Sequence, residues 1–158
     1  MPPRGARLAS VRRALLVVAG VVAIDQATKA AVRGAIELDG QRTAIPGVLR
    51  IVHVRNDGVA FGALGGRPIV IVIVLVALAG LIAWFALHAG RPLVWLPTGL
   101  LLGGALGNVL DRVRDGAVTD FVKFPHWPAF NVADTAITIG VIALLFVLER
   151  ADAPGGRA

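Results

Sequence analysis

Apolar and polar positions along the chain sort into long apolar blocks and shorter mixed connections. Four blocks approach the roughly 20 mostly apolar residues that a helix needs to cross a bilayer: Ala14 to Val32, Ile69 to His88, Leu93 to Val109 and Asn131 to Leu148. The second carries no charge between its ends. Gly90-Arg91-Pro92 leaves room for no more than a hairpin between the second and third. The pattern predicts a membrane protein, all-α with a small β element. Its spans fall at about 14–32, 69–88, 93–109 and 131–148, in a single domain over 1–150. Residues 151–158, with Pro154-Gly155-Gly156, read as a disordered tail.

Four crossings put the two longer connections, Arg33 to Pro68 and Arg112 to Phe130, on one side. Within the first, Val48 to Asn56 alternates, with Leu49, Ile51 and His53 on one face and Arg50, Val52 and Val54 on the other. A period of two reads as a strand. In the second, Asp115-Gly116 is a turn signal and Val118 to Phe124 alternates again. A small β platform lying on the membrane surface follows.

Composition agrees with this picture. Hydrophobic residues make up 56% of the chain and charged residues 16%, against roughly 25% charged in soluble domains. The net charge of +6 is spread over tails and loops, with no basic helix face. That excludes nucleic acid as a partner and points to membrane lipids instead. There is no cysteine, hence no disulfide, thiolate metal site or cysteine nucleophile. Met1 to Ala14 holds four arginines before an apolar run, as a signal peptide does. The run continues into Asp25 and Lys29 without a clear small-residue cleavage site, so a retained first helix is the better reading. Positive charge is nearly balanced across the membrane. The arginines ahead of the first helix favour both termini inside, with the two long connections outside.

Ionisable residues in membrane spans are costly and mark function by default. Here they gather at one level. Asp25 and Lys29 lie toward the outer end of the first helix, spaced for an i, i+4 salt bridge. Asn108, Asp111 and Arg112 close the third helix, either as a cap with an Asp–Arg pair or as support for a site. Gly99, Gly103 and Gly107 recur at steps of four, as in helices that approach closely in lipid. Asp120 sits among apolar residues in Val118-Thr119-Asp120-Phe121. Asp134 opens the fourth helix, where a carboxylate also satisfies the helix dipole.

As a pair, Asp120 and Asp134 have a joint task. Two carboxyls in a partly dry site share one proton. The charged member takes a proton from water as it attacks a carbonyl, and the protonated member polarises that carbonyl and then protonates the leaving amine. This chemistry needs no metal, cysteine or serine, and no cofactor is expected. His53, His88 and His126 lack metal-ligand spacing; Ser10, the one serine, lies near the start; Gly62 to Gly66 lacks a phosphate-loop frame. A proton-coupled transporter using Asp25, Asp111, Asp120 and Asp134 as a relay is the alternative, weakened by the uncharged second helix. A non-enzymatic membrane subunit leaves the carboxylate cluster unexplained.

Five segments, read together, resemble the lipoprotein signal peptidase (signal peptidase II) family, in that family's order. They are Asp25-Gln26-Ala27-Thr28-Lys29, Asn56 to Gly62, Gly103 to Arg112, Gly116 to Phe121 and Phe130-Asn131-Val132-Ala133-Asp134. The resemblance implies an aspartic endopeptidase of the bacterial inner membrane; separately, a monomer is expected. It would remove the signal peptide of prolipoproteins by cutting just before the diacylglyceryl-modified cysteine. It implies four spans, both termini cytoplasmic, an extracytoplasmic β cradle and a short interfacial helix. Asp120 and Asp134 match the catalytic pair. Asn56, Asn108, Asp111, Arg112 and Asn131 match positions that shape the pocket and orient the substrate, and Asp25 and Lys29 match a structural pair. Globomycin-type antibiotics are expected to block the dyad. Gly58 to Gly66 is expected to form a mobile lid with Asn56, and Phe61, Phe121 and Trp127 to be apolar walls. Thr119 stands where the family commonly has valine, and Phe124 to Phe130 is short, which bears on how that loop covers substrate.

Overall fold

The computed structural model describes residues 4–58 and 67–152. Four helices and three strands occur among them: α1 (Arg4–Ala35), β1 (Gln41–Ile45), β2 (Leu49–Asn56), α2 (Arg67–His88), α3 (Trp95–Asp115), β3 (Val118–Lys123) and α4 (Val132–Asp152). The expected lid residues 59–66 and the tail from 153 onward lie outside the described residues. No short helix accompanies the four long ones among the described residues, so the expected interfacial helix is not found there.

Each helix covers its apolar block, with shifted ends. α1 starts at Arg4 rather than Ala14, because arginine is a good helix former and no proline follows Pro3 in this stretch. The arginines of its first turns serve other helix ends. Arg7 Nη2 donates to the Ala86 carbonyl near the C-terminus of α2 at 2.9 Å, where a cation is favoured. Arg13 lies over the Trp95 ring. α3 continues past Val109 to Asp115 and stops at Gly116, whose φ of 76° and N–H to the Arg112 carbonyl form a left-handed cap. That extension carries Asp111 inward. α4 runs through Asp152, past the expected boundary at residue 150.

α3 is the central helix, packed on α1 and α4 and more lightly on α2. Glycine makes the approach close. A methyl on Gly99 would lie 2.9 Å from the Ala14 carbonyl oxygen of α1, and one on Gly104 2.5 Å from the Ala133 carbonyl oxygen of α4. α2 over Ile71–His88 and α4 over Val132–Glu149 are long and apolar enough to cross a membrane; α1 and α3 do not meet that measure. They carry Asp25 and Lys29, and Asn108 and Asp111 with their glycines. Large apolar side chains nevertheless face outward on every helix, among them Leu15, Leu16 and Ile24 on α1, Val76 and Leu87 on α2, Val113 on α3 and Leu145 and Phe146 on α4. Water does not sustain so much contiguous apolar surface on a monomer.

The strands form one antiparallel sheet in the order β1-β2-β3. β2 and β3 are the expected strands; β1 is an additional one, exposed along its whole length. The register sets Val54 opposite Asp120 and Asn56 opposite Val118. Beyond β3, Phe130 returns to pair with Val122, which delivers Asn131 and the start of α4 to the edge of the sheet.

Candidate active site

Asp120 lies in the strand and Asp134 in the first turn of α4, and Asn131 touches both. As the residue before Val132, Asn131 caps α4: the Asp134 N–H donates to Asn131 Oδ1 at 2.9 Å, and the Asn131 N–H returns to Asp134 Oδ2 at 3.2 Å. This reciprocal pair is a capping box with Asn and Asp in its two places. It commits the Asn131 oxygen to accepting, so its NH2 faces the other way. Nδ2 donates to Asp120 Oδ1 at 2.7 Å.

Each carboxyl has a second amide donor. Asn56 Nδ2 donates to Asp120 Oδ2 at 2.9 Å, and the Gly58 N–H donates to Asn56 Oδ1, which fixes that amide as well. Asn108 Nδ2 donates to Asp134 Oδ1 at 2.8 Å. Asp120 is 2% exposed. Burial pushes its carboxyl up to about 6, against the hydrogen bonds from Asn56 and Asn131, and the neighbouring charge of Asp134 adds to the rise. A carboxyl raised this far holds its proton in weakly acidic solution, which suits an acid partner.

Behind the pair lies a buried ionic cluster. Lys29 Nζ is 2.8 Å from Asp25 Oδ2 and 3.0 Å from Asp111 Oδ2, with all three side chains fully buried. Asp25 Oδ1 accepts the Ala133 N–H at 2.9 Å, and Asp111 Oδ2 accepts the Thr119 N–H at 3.0 Å. The cluster therefore holds the backbone just before Asp134 and the backbone just before Asp120. Gly107 is required here, because a methyl would sit 2.6 Å from Asp25 Oδ2.

The sequence-predicted residues Asp25, Lys29, Asn56, Asn108, Asp111, Asp120, Asn131 and Asp134 thus join in one hydrogen-bonded network. Arg112 joins at its margin, half-buried, donating to the Asn108 carbonyl oxygen at 3.3 Å. The suggested Asp111–Arg112 pair is not formed; the cations near Asp111 are Lys29, Arg114 at 3.8 Å and Arg33 at 4.0 Å. Two further residues, Gln26 and Arg33, were not singled out from sequence, and Thr119 gains a partner there. Gln26 Nε2 donates to Asp111 Oδ1 at 2.9 Å. Arg33 Nη1 donates to Thr119 Oγ1 at 3.0 Å. The signal for Gln26 was its place beside Asp25; for Thr119 it was a polar residue in an apolar strand. Arg33 gave none.

An open cavity of about 620 Å³ meets the network at Asp134. Its walls are Phe124, Trp127 and Phe130 on the loop and Thr135, Thr138 and Ile139 on α4. Phe121, expected as a wall, is buried and does not line this cavity.

Comparison with known proteins decides the family. The model of signal peptidase II matches residues 17–149. The chain belongs to the signal peptidase II family. It is therefore a hydrolase, an aspartic endopeptidase of the membrane-enzyme type. The lipoprotein signal peptidase of Moorella thermoacetica is 43% identical over 145 residues, covering 90% of this chain and 97% of that one. That of Syntrophotalea carbinolica is 41% identical over 154 residues, covering 91% and 95%. Among solved structures, a bacterial membrane enzyme determined by the in meso method at 2.3 Å resolution superposes with a TM-score of 0.82 at 32% identity, covering 92% of this chain and 93% of that one. The signal peptidase II match spans every residue of the network just described.

Proposed function

We propose that the chain removes the signal peptide of bacterial prolipoproteins by hydrolysing the bond just before the diacylglyceryl-modified cysteine, with Asp120 and Asp134 as the dyad that activates water. The carrying observation is Asn131, which donates to both carboxyls and so holds them as one unit. The apolar cavity that ends at Asp134 supports a lipid-bearing substrate. Relatives named lipoprotein signal peptidase support the substrate class.

In this mechanism the ionised carboxylate of the dyad takes a proton from water as its oxygen attacks the scissile carbonyl. The protonated carboxyl donates a hydrogen bond to that carbonyl oxygen. On collapse the C–N bond breaks and the proton passes to the leaving amine. Asn56, Asn108 and Asn131 hold the two carboxyls, Asp111 and Arg112 shape the pocket, and Asp25 with Lys29 supports them from behind.

The same reading makes all four helices spans of the inner membrane, with both termini cytoplasmic and the sheet on the outer face. Outward-facing apolar residues on α1 and α3 support the two spans whose composition is less apolar. The chain acts as a monomer on prolipoproteins within membrane lipid, and globomycin-type antibiotics block the dyad.

A gel-shift assay with a purified, lipid-modified prolipoprotein tests this. The wild type cleaves it. Asp120→Asn and Asp134→Asn each slow cleavage by about 100-fold or more while melting as folded proteins. Full cleavage by either variant removes the dyad, and loss of wild-type cleavage on chelation puts a metal in its place.

A further inference from the structure

Lys29 carries three donor hydrogens and no acceptor. Two go to the buried carboxylates of Asp25 and Asp111, and the third goes to Asn108 Oδ1 at 3.0 Å. Two carboxylates already over-neutralise one ammonium. The contact with a neutral amide adds nothing to that balance, and it is the contact that leads to the dyad.

An asparagine amide has two faces of nearly equal size, one accepting and one donating. The face turned to Asp134 is set by what meets the opposite face. Lys29 can only donate, so Asn108 turns its oxygen to Lys29 and its NH2 to Asp134 Oδ1, 2.8 Å away. Asn131 Nδ2 reaches the same Asn108 oxygen at 3.2 Å and reinforces the choice. A reversed Asn108 would set an oxygen against a carboxylate oxygen, and the two acceptors would repel each other.

Charged groups around Asp134 among the described residues include Arg112 on α3 and Asp120 on β3, with Asp111 of α3 and Asp25 and Lys29 of α1 behind Asn108. Among these, Lys29 is the cation joined to the Asp134 carboxylate through the Asn108 side-chain amide, while Asp120 is joined to it through Asn131.

We infer that Lys29 is a positioning residue of the peptidase reaction: by fixing the Asn108 amide it holds the Asp134 carboxylate as a hydrogen-bond acceptor, oriented to receive the proton of the attacking water. This inference rests on the dyad reading above.

The test removes the lock without leaving a lone buried charge. Lys29→Met is combined with Asp111→Asn, and in a second variant with Asp25→Asn, so that one cation and one anion leave together. Each pair is assayed on lipid-modified prolipoprotein across pH, with thermal melting to select folded protein. The expected result is a fall in kcat on the order of 100-fold, the scale of a misplaced catalytic group. KM stays near the wild-type value. Asn108→Ala gives the same pattern. Added to either pair, it lowers kcat no further, because both changes act through one amide. Wild-type kcat in a folded pair overturns the inference, and so do losses that multiply in the combined variant. Activity in Asp120→Asn or Asp134→Asn would instead overturn the dyad itself. Inactive dyad variants beside fully active Lys29 pairs would overturn this inference alone.

Discussion

The backbone N–H of Ala133 donates to Asp25 Oδ1 at 2.9 Å, tying α1 to the first turn of α4. The first N–H groups of a helix have no partner within it, and here a buried carboxylate from another helix supplies one. The same carboxylate neutralises Lys29. Asp25→Asn keeps an oxygen for Ala133 and removes the charge. The expected cost is about 3 kcal/mol, the lower end for breaking a buried pair, because Asp111 still faces Lys29. Thermal melting in detergent should show that loss, while turnover per folded molecule changes less. The opposite pattern would make Asp25 part of the chemistry.

Asp120 predicts how stability responds to pH. Its carboxyl is raised from the ordinary 3.8 to about 6 in the folded protein, mainly by burial. The folded state therefore binds the proton more tightly than the unfolded state. The stabilisation from that proton is fully present below about pH 4 and is lost as pH rises through about 6. Asp120→Asn has no such loss. The stability difference between variant and wild type should shift in the variant's favour by up to about 3 kcal/mol from pH 4 to pH 7, at 1.36 kcal/mol per unit. A difference that stays flat over this window would place Asp120 in a wetter setting than its burial indicates.

Gly104 and Gly20 form a matched pair for the helix contacts. A methyl on Gly104 meets the Ala133 carbonyl oxygen at 2.5 Å, and backbone cannot swing aside; a methyl on Gly20 meets nothing within 4 Å. Gly104→Ala should cost about 1–3 kcal/mol, as overpacking does, and should lower cleavage because it pushes the start of α4 away from Asn108. Gly20→Ala should be neutral or stabilising by up to about 1 kcal/mol. Equal melting temperatures for the two would contradict the close approach of α3 and α4.

The cavity offers a kinetic prediction. Thr138 lies on its α4 wall, one turn beyond Asp134, whose carbonyl oxygen accepts from Thr138 Oγ1 at 2.9 Å. Thr138→Phe narrows the cavity without touching either carboxyl. The ratio kcat/KM for lipidated substrate should fall by about tenfold or more, the scale of a spoiled apolar subsite, with melting unchanged. Steady-state kinetics against two substrate concentrations ranges, below and above KM, separate this from a slower chemical step; an unchanged kcat/KM would mean the substrate lies elsewhere.

The helices and two of the strands were legible because their apolar residues run continuously or alternate along the sequence. α2 and α4 are apolar over most of their length, and the stretches of β2 and β3 alternate in sequence, although Val118 to Phe121 of β3 is buried on both faces. β1 has no such pattern because Gln41 to Ile45 is exposed on both faces and is held by pairing with β2 and by Arg42 on the Ala35 carbonyl. The sequence marks the end of the third span rather than of its helix, because Asp111, Arg112 and Arg114 look like the edge of a span. A helix does not stop where lipid does, and α3 goes on to its glycine cap. In the site, charges among apolar residues stood out singly. Their partnerships did not. Gln26 and Arg33 find partners 85 and 86 residues away in sequence, a distance over which no local pattern carries information.

The pairing of Val122 with Phe130 has a consequence for how such enzymes vary. Val122 N–H donates to the Phe130 carbonyl at 2.8 Å, and Phe130 N–H returns to the Val122 carbonyl at 3.0 Å. This clasp pins both ends of residues 123–129, so the length of that segment is uncoupled from the placement of Asp120 before it and Asp134 after it. Evolution or a protein engineer can lengthen, shorten or recode this stretch as a module, retuning what enters the cavity while the chemistry beneath stays in register.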